Sequence, residues 1–276
     1  MEIQQSTVYA AYIRSLGWIV EHIDGIQIFI RPYPFIGGLA KMQRSIHLPD
    51  PEALKKVLKA HRIRTLVAEP DSRISQKMFS EWCKKIRPFV RINTDPFIPS
   101  KTIRVDVTPD TEKIFHRFSE AKRRGVRRAQ KAGITVSESQ DMKNLIRIKN
   151  ASAGFMGFIT TAGMDKLWQA LPEKNKTVLL ARDTHQKIVG GIFLIFWDGV
   201  AYYWIAGAVK EGKKQFAPTL LVWEALVAAK KHGMKSFDFV GVWDERIPDK
   251  NQEWHGFTKF KEGFGGEALY YPLVLT

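Results

Sequence analysis

Three apolar, strand-like segments follow one another closely in the second half of the sequence and lead into one helix-like segment. Residues 177–182, 187–197 and 200–207 are rich in β-branched and aromatic side chains, a composition that favours paired strands. Residues 218–232 have the spacing of an apolar helix, begin with proline and are followed by glycine, and 235–240 returns as a strand. This succession restricts the segment to an α/β architecture around a central sheet.

The segment before these strands supplies the rest of a domain. Residues 103–107 alternate as a strand, Thr108-Pro-Asp-Thr-Glu starts a helix expected to continue to Gly133, and two more helices are expected at about 140–158 and 163–171. Two prolines and several turn formers at 93–101 mark a linker. We therefore predict two domains, 1–100 and 101–276, with mixed sheets flanked by helices.

The first hundred residues have the signals of a smaller α/β unit. Ser6 and Gly17 delimit a helix, and strands are expected at 18–20, 26–31 and 64–69. A further helix is expected at 50–61, with Pro51 at its first position.

Composition restricts the partners and the compartment. The net charge of +15 and pI near 9.8 favour a polyanionic partner, either RNA or an anionic membrane surface. The longest apolar run, 189–197, is far shorter than the roughly 20 residues of a membrane span, and the N-terminus lacks the features of a signal peptide. The single Cys83 excludes an internal disulfide, and the histidines have no zinc spacing. We expect a cytoplasmic protein without a metal.

A run of basic residues occupies the expected helix at 117–133. No acidic residue occurs from Ala121 to Ser137, and the spacing of the cations clusters most of them on one side, which would allow them to follow a phosphate backbone. A solvated face, or a helix that anchors against the other domain, would give the same pattern. The candidate RNA-binding residues are Lys122, Arg123, Arg124, Arg127, Arg128 and Lys131.

Close to the C-terminus, Phe257-Thr-Lys-Phe-Lys-Glu-Gly-Phe-Gly-Gly266 sets a lysine beside an aromatic face. Phe257, Phe260 and Phe264 share one side of a helical turn, so they would hold Lys261 next to a core. An ordinary solvated lysine that extends past aromatic neighbours is the alternative. The segment after the two glycines, 267–275, is expected to be a strand.

Asp238-Phe-Val-Gly241, followed about twenty residues later by Phe-Lys-x-x-Phe-Gly, resembles the end of the FemABX aminoacyltransferases. Residues 121–133 are similar to that family's basic helix, and Gln5-Ser6 with Gly17-Trp18 is similar to its beginning. The order of elements after Thr102 is also that of a Gcn5-related N-acetyltransferase (GNAT) domain. The resemblance implies two GNAT-like domains in one chain, here without the long helical hairpin of some members.

The resemblance also implies a reaction, in which an amine of a peptidoglycan stem peptide attacks an aminoacyl ester of tRNA. It assigns catalysis to Phe260 and Lys261, with Lys261 stabilising the intermediate or the leaving ribose oxygen. We assign substrate binding to Lys41, Arg44, Tyr203 and Asp238. In the family, loops of the first half help to bind the precursor, and solvated loop charges are the alternative interpretation of Lys41 and Arg44. The family's basic residue for the muramyl nucleotide has no equivalent in residues 152–158.

The donor is inferred from residues 210–218. Coenzyme A-dependent GNAT enzymes need two closely spaced glycines there, but this stretch has one glycine and Pro218, which lacks an amide hydrogen. We therefore expect no cofactor other than aminoacyl-tRNA as co-substrate. The expected acceptor is UDP-muramyl-pentapeptide or lipid II, with contact to the inner membrane surface. Two alternatives stay open: an N-acyltransferase with another donor, and a non-catalytic RNA-binding protein.

Overall fold

A computed structural model describes residues 1–33, 35, 37–153 and 160–275. The chain forms two compact units, here called the N-terminal unit (1–101 and 269–276) and the C-terminal unit (102–268). This division differs from the predicted 1–100 and 101–276 at Lys101 and in the last eight residues, all of which belong to the N-terminal unit. Within the described ranges, no helix combines the length and the apolar character that crossing a membrane requires.

The N-terminal unit contains a five-stranded sheet in the order β1-β2-β3-β4-β5. Its first three strands are antiparallel neighbours, whereas β3, β4 and β5 are parallel. The strands are β1 (Ile19–Ile23), β2 (Ile26–Arg31), β3 (Gly38–Gln43), β4 (Ile63–Glu69) and β5 (Arg91–Ile92), and the helices are α1 (Thr7–Ser15), α2 (Pro51–Ala60) and α3 (Gln76–Ile86).

Local sequence explains where these helices begin. The Ser6 hydroxyl accepts a hydrogen bond from the Tyr9 backbone amide, and the Asp50 carboxylate accepts one from Ala53 ahead of Pro51. Each cap satisfies an amide that has no partner within its helix. Leu54, Leu58, Phe79 and the inward residues of the strands then form one buried core.

The C-terminal unit contains a seven-stranded sheet in the order β12-β6-β11-β10-β9-β8-β7. Neighbours β10 and β11 are parallel, while β6–β11 and the pairs from β10 to β7 are antiparallel. The strands are β6 (Lys101–Asp106), β7 (Thr135–Ser139), β8 (Lys176–Arg182), β9 (Ile188–Trp197), β10 (Val200–Ala208), β11 (Ser236–Asp238) and β12 (Glu267–Tyr270). The helices are α4 (Thr111–His116), α5 (Glu120–Lys131), α6 (Met142–Ala153), α7 (Met164–Ala170), α8 (Lys210–Lys214), α9 (Ala217–Lys231) and α10 (His255–Glu262).

Helices pack against this sheet with close backbone approaches. Helix α9 packs on β8, β9 and β10, and α5 packs on α9, where a Cβ on Gly125 would lie 3.0 Å from the Thr219 methyl group. Helix α6 packs on β9 and β10. The core between these elements is apolar and contains fully buried Phe118, Phe237 and Phe264. The predicted mixed α/β fold with helix-flanked sheets is confirmed, and α9, at 15 residues, is the longest helix in the described ranges.

Several elements differ from their predicted bounds, and three of these differences have a local cause. The helix expected from 108 to 133 is divided into α4 and α5, because the Ser119 hydroxyl caps a new helix by accepting from the Lys122 amide. The strand expected at 235–240 ends at Asp238, since Val240 adopts a left-handed conformation with φ 59°. The strand expected at 267–275 ends at Tyr270, ahead of Pro272. The end of the helix expected at 140–158 lies outside the described residues.

Candidate functional site

Lys261 is held by main-chain oxygens rather than by a carboxylate. Its Nζ donates to the carbonyl oxygens of Phe239 at 2.9 Å and Gly241 at 2.6 Å. The ammonium also lies 4.8 Å from the centroid of the Phe257 ring and 5.5 Å from that of Tyr203. The side chain is half-buried, so it is not the freely solvated lysine of the alternative interpretation.

This environment lowers the pKa of Lys261 to about 7. Burial is the largest cause, because the charged form loses hydration that two carbonyls and aromatic faces replace incompletely. The Asp238 carboxylate raises the pKa, and the Lys149 ammonium lowers it further. Lys261 is therefore poised to exchange a proton close to neutral pH, a property common among residues that act in catalysis.

Asp238 supports the turn that holds this lysine. Its carboxylate accepts from the Thr102 hydroxyl at 2.6 Å, the Arg104 Nε at 2.7 Å and the Val240 amide at 2.7 Å. The last bond stabilises the left-handed Val240 and so fixes the direction of the carbonyls on either side. The residue is 2% exposed. The predicted binding of substrate by Asp238 stays a prediction, and in the structure its carboxylate is bonded within the protein, next to the turn that holds Lys261.

Tyr203 lies where two parallel strands separate. Strand β11 pairs with β10 only from Val200 to Tyr202, and β10 continues to Ala208 without it. The Tyr203 ring packs against Phe239, with centroids 5.7 Å apart, and burial raises the pKa of its hydroxyl. Beyond Tyr202, β10 is no longer paired with β11, and the Lys261 ammonium lies beside this stretch, 5.5 Å from the centroid of the Tyr203 ring.

Phe260 and the basic helix meet in the C-terminal unit. The Phe260 ring packs edge-on against the fully buried Phe264, with centroids 5.1 Å apart, and the Lys122 ammonium lies 3.8 Å from the Phe260 centroid. Burial lowers the pKa of Lys122 to about 8. Lys122 is thus a packing partner of the Phe260–Lys261 segment rather than an open phosphate contact.

The other predicted RNA-binding residues divide into two groups. Arg123 Nη1 donates to the carbonyls of His116 at 3.0 Å and Phe118 at 2.6 Å. This guanidinium therefore supplies hydrogen bonds to carbonyl oxygens at the C-terminal end of α4. The exposed group remains available to a polyanion, although one member pairs with Glu120 at 3.1 Å. That group consists of Arg124, Arg127, Arg128 and Lys131.

The two predicted cations of the N-terminal unit differ in accessibility. Arg44 is 5% exposed, its Nη2 donates to the Pro99 carbonyl at 2.6 Å, and its guanidinium stacks 3.2 Å from the Tyr271 centroid. Lys41 is half-buried, and its ammonium lies 4.8 Å from the Trp18 centroid and 4.4 Å from that of Phe97. Burial lowers the pKa of Lys41. Of the two, Lys41 is the accessible candidate.

Two charged residues near these candidates were not identified from the sequence. Glu69 is buried and accepts from the backbone amides of Phe97 and Ile98, so it organises the loop beside Lys41. Lys149 is half-buried on α6 and acts electrostatically on Lys261. Gly207 is the one sequence signal for Lys149, because a glycine inside a strand marks a close approach of another backbone.

No group of three or more His, Cys, Asp or Glu side chains in the described part of the chain is placed to hold a metal ion. Residues 154–159, which include most of the stretch compared with the family's nucleotide-binding helix, lie outside it.

Comparison with known proteins gives concordant results. Residues 116–254, half of the chain, match the model of the acetyltransferase (GNAT) domain family. A lipid II:glycine glycyltransferase of Staphylococcus haemolyticus is 30% identical over 102 residues. That alignment covers 36% of this chain and 24% of the relative, so the comparison concerns about a quarter of the relative's length.

Solved structures extend the comparison to the whole chain. The crystal structure of FemX superposes with a TM-score of 0.76 at 16% identity, covering 99% of this chain and 92% of FemX. A C-terminal domain described as part of a lysylphosphatidylglycerol synthetase from Agrobacterium fabrum gives a TM-score of 0.60 at 14% identity, covering 98% of this chain and 87% of that domain. At these identities the likeness establishes the fold.

Proposed function

This chain belongs to the family of acetyltransferase (GNAT) domains, and from that premise we propose that it is an aminoacyltransferase that moves an amino acid from aminoacyl-tRNA to an amine of a peptidoglycan precursor. The predicted resemblance to the FemABX family is confirmed by the similarity to FemX and to the glycyltransferase. The fold is that of acyltransferases; the RNA-borne donor and the precursor acceptor are the proposal.

The observation that carries the proposal is the hydrogen bonding of Lys261. Two carbonyls accept from its Nζ, which leaves one further N–H on the protonated form. Strands β10 and β11 no longer pair beyond Tyr202, close to this lysine, and we place the acyl ester at that point. A donor fixed in advance by two internal bonds stabilises developing oxyanion charge without reorganising during the reaction.

In the proposed reaction, the acceptor amine forms a bond to the ester carbon and the C–O bond to the ribose then breaks. The protonated Lys261 stabilises the oxyanion of the tetrahedral intermediate or the departing ribose oxygen. The proton released by the attacking amine leaves with the ribose hydroxyl, so the products are an amide and free tRNA. Because an ester is already activated, alignment and charge stabilisation are the main demands on the protein.

The backbone of residues 210–220 argues against coenzyme A as the donor. A pyrophosphate cradle needs free amides that converge at the start of a helix. Here five amides are bonded to carbonyls of their own turn and helix, and Pro218 has no amide hydrogen. The occupied amides are those of Lys213, Gln215, Phe216, Thr219 and Leu220.

The acceptor is proposed from the relatives and from Lys41. The glycyltransferase relative is named for lipid II, and an ammonium flanked by the Trp18 and Phe97 rings suits a phosphate next to a planar or sugar group. Arg44 is less suited to such a contact, because the Pro99 carbonyl and the Tyr271 ring already engage it. UDP-muramyl-pentapeptide and lipid II both fit this chemistry, and lipid II would bring the protein to the inner membrane surface.

The proposal is tested by incubating the protein with radiolabelled aminoacyl-tRNAs and either UDP-muramyl-pentapeptide or lipid II. We expect label in the acceptor with intact RNA and none after RNase treatment. Acetyl-coenzyme A, measured by calorimetry, should bind weakly or not at all. Micromolar binding of that thioester, with no RNA-dependent transfer, would instead support the N-acyltransferase with another donor, whereas RNA binding without any transfer would support the non-catalytic alternative.

A further inference from the structure

Lys149 lies on helix α6 directly over strand β10. A Cβ on Gly207 would lie 2.8 Å from the Lys149 Cα, so the helix backbone rests on the strand at this point. The side chain of Lys149 is half-buried. Lys149 is therefore placed near the end of β10, in the stretch that continues beyond β11.

Helix α8 brings a second lysine to the same end of β10. The Val209 amide donates to the Val189 carbonyl at 3.1 Å, which ends the strand, and the Lys213 amide donates to the Val209 carbonyl at 3.0 Å. A Cβ on Gly212 would lie 2.4 Å from the Val189 carbonyl oxygen, so α8 is pressed against β9. The exposed Lys213 is thereby fixed within one helical turn of the strand's end.

Lys149 lies within electrostatic reach of both Lys213 and Lys261. The pKa of Lys149 is lowered by burial and by the Lys213 charge, and Lys149 in turn lowers the pKa of Lys261. In the part of the chain that the structure describes, neither Lys149 nor Lys213 forms an ion pair. Glu211, on the same helix as Lys213, is exposed and is not among the charges that act on Lys149. Like charges held together in this way are relieved when an anion binds between them.

We propose that Lys149 and Lys213 form a binding site for a phosphate ester at the open end of β10, next to Lys261. The proposal rests on the proposed function, because both substrates of that reaction carry phosphate esters. The ligand is either the phosphodiester beside the acylated end of the RNA donor or the diphosphate of the acceptor. In either case the two ammonium groups bind charge that lies outside the reacting bond, and so orient the substrate on Lys261.

The test measures binding rather than turnover, so its outcome does not depend on the transfer reaction. Lys149→Gln, Lys213→Gln and the double variant are titrated with a fluorescent single-stranded RNA ending in CCA and, separately, with UDP-muramyl-pentapeptide. Lys143→Gln on α6 and Lys214→Gln on α8 are matched controls, since each removes one exposed charge from the same helix. Lys149→Arg, which keeps the charge, should retain binding, and circular dichroism reports whether each variant is folded.

We expect one of the two probes to lose affinity roughly ten- to a hundredfold for each lysine removed, and the controls to change little. If the RNA is that probe, the slope of log affinity against log salt should also fall by about 0.7 per lysine. Loss confined to UDP-muramyl-pentapeptide would assign the site to the acceptor. If each probe binds the Gln variants as tightly as it binds the controls, the proposed site is wrong, even if RNA-dependent transfer is observed. If the Gln variants lose affinity but the wild-type protein transfers no label, the proposed function is wrong and the phosphate site remains.

Discussion

At the scale of single residues, the protonation state of Lys261 decides which chemical group it presents to a substrate. Two of its hydrogen bonds go to carbonyls in either protonation state, so titration changes only what it presents to the substrate. Below a pKa of about 7 it presents an N–H, and above it a lone pair. A charge-stabilising role requires the former, whereas a general base requires the latter.

We therefore expect kcat to decrease as the pH rises through about 7, because Lys261 is protonated below its pKa and neutral above it. Lys261→Met keeps the length of the chain and should lower kcat by about 10²- to 10³-fold, with little effect on tRNA or acceptor affinity. The pH profile of single-turnover transfer and the kcat of the variant are the measurements.

Lys259→Met is the matched control, since Lys259 is exposed on the same helix, and it should stay within a fewfold of wild type. A kcat that increases through pH 7 would assign Lys261 to proton abstraction. Equal losses in both variants, or loss of tRNA affinity in Lys261→Met, would remove its catalytic role.

At the scale of elements, the turn after β11 couples a buried carboxylate to this lysine. Asp238 raises the pKa of Lys261 and fixes Val240 through its amide. Asp238→Asn removes the negative charge while keeping the size of the side chain. The pKa of Lys261 should then fall, and the decrease in kcat should begin at a lower pH than in wild type.

Thr102→Val provides the comparison for that variant. It removes a hydrogen bond to the same carboxylate but leaves its charge in place, so the pH profile should keep its position. Thermal unfolding of both variants separates lost stability from altered titration. If both profiles move together, the turn acts through its shape and not through the charge of Asp238.

The elements also show what local sequence could and could not predict. Helix starts at Ser6 and Asp50 were predictable because each cap is a bond within one turn. The end of β11 depends on Thr102 and Arg104, which lie more than 130 residues away along the chain from Asp238. Lys261 could be singled out from the spacing of its aromatic neighbours, but its carbonyl partners and the nearby Lys149 result from tertiary contacts that no local pattern contains.

At the scale of the whole molecule, the basic residues behind the net charge of +15 differ in how accessible they are to a partner. Lys122 packs on Phe260, Arg123 bonds carbonyls at the end of α4, and Arg44 stacks on Tyr271. These cations contribute to the long-range attraction of a polyanion but have partners within the protein. Counting basic residues therefore overestimates the number of cations that are available to bind phosphate.

The salt dependence of tRNA binding can distinguish the exposed cations of α5 from the cations that have partners within the protein. Replacing Arg124, Arg127, Arg128 and Lys131 together with Gln should reduce the salt dependence of tRNA binding. Each lost contact should lower the slope of log affinity against log salt by roughly 0.7 to 0.9, and the fold should persist because all four side chains are exposed. Arg123→Gln should change the slope less and lower the melting temperature more, since it leaves the carbonyls of His116 and Phe118 without a donor. If the fourfold variant keeps the wild-type slope, tRNA binds elsewhere on this basic surface and α5 is a solvated face.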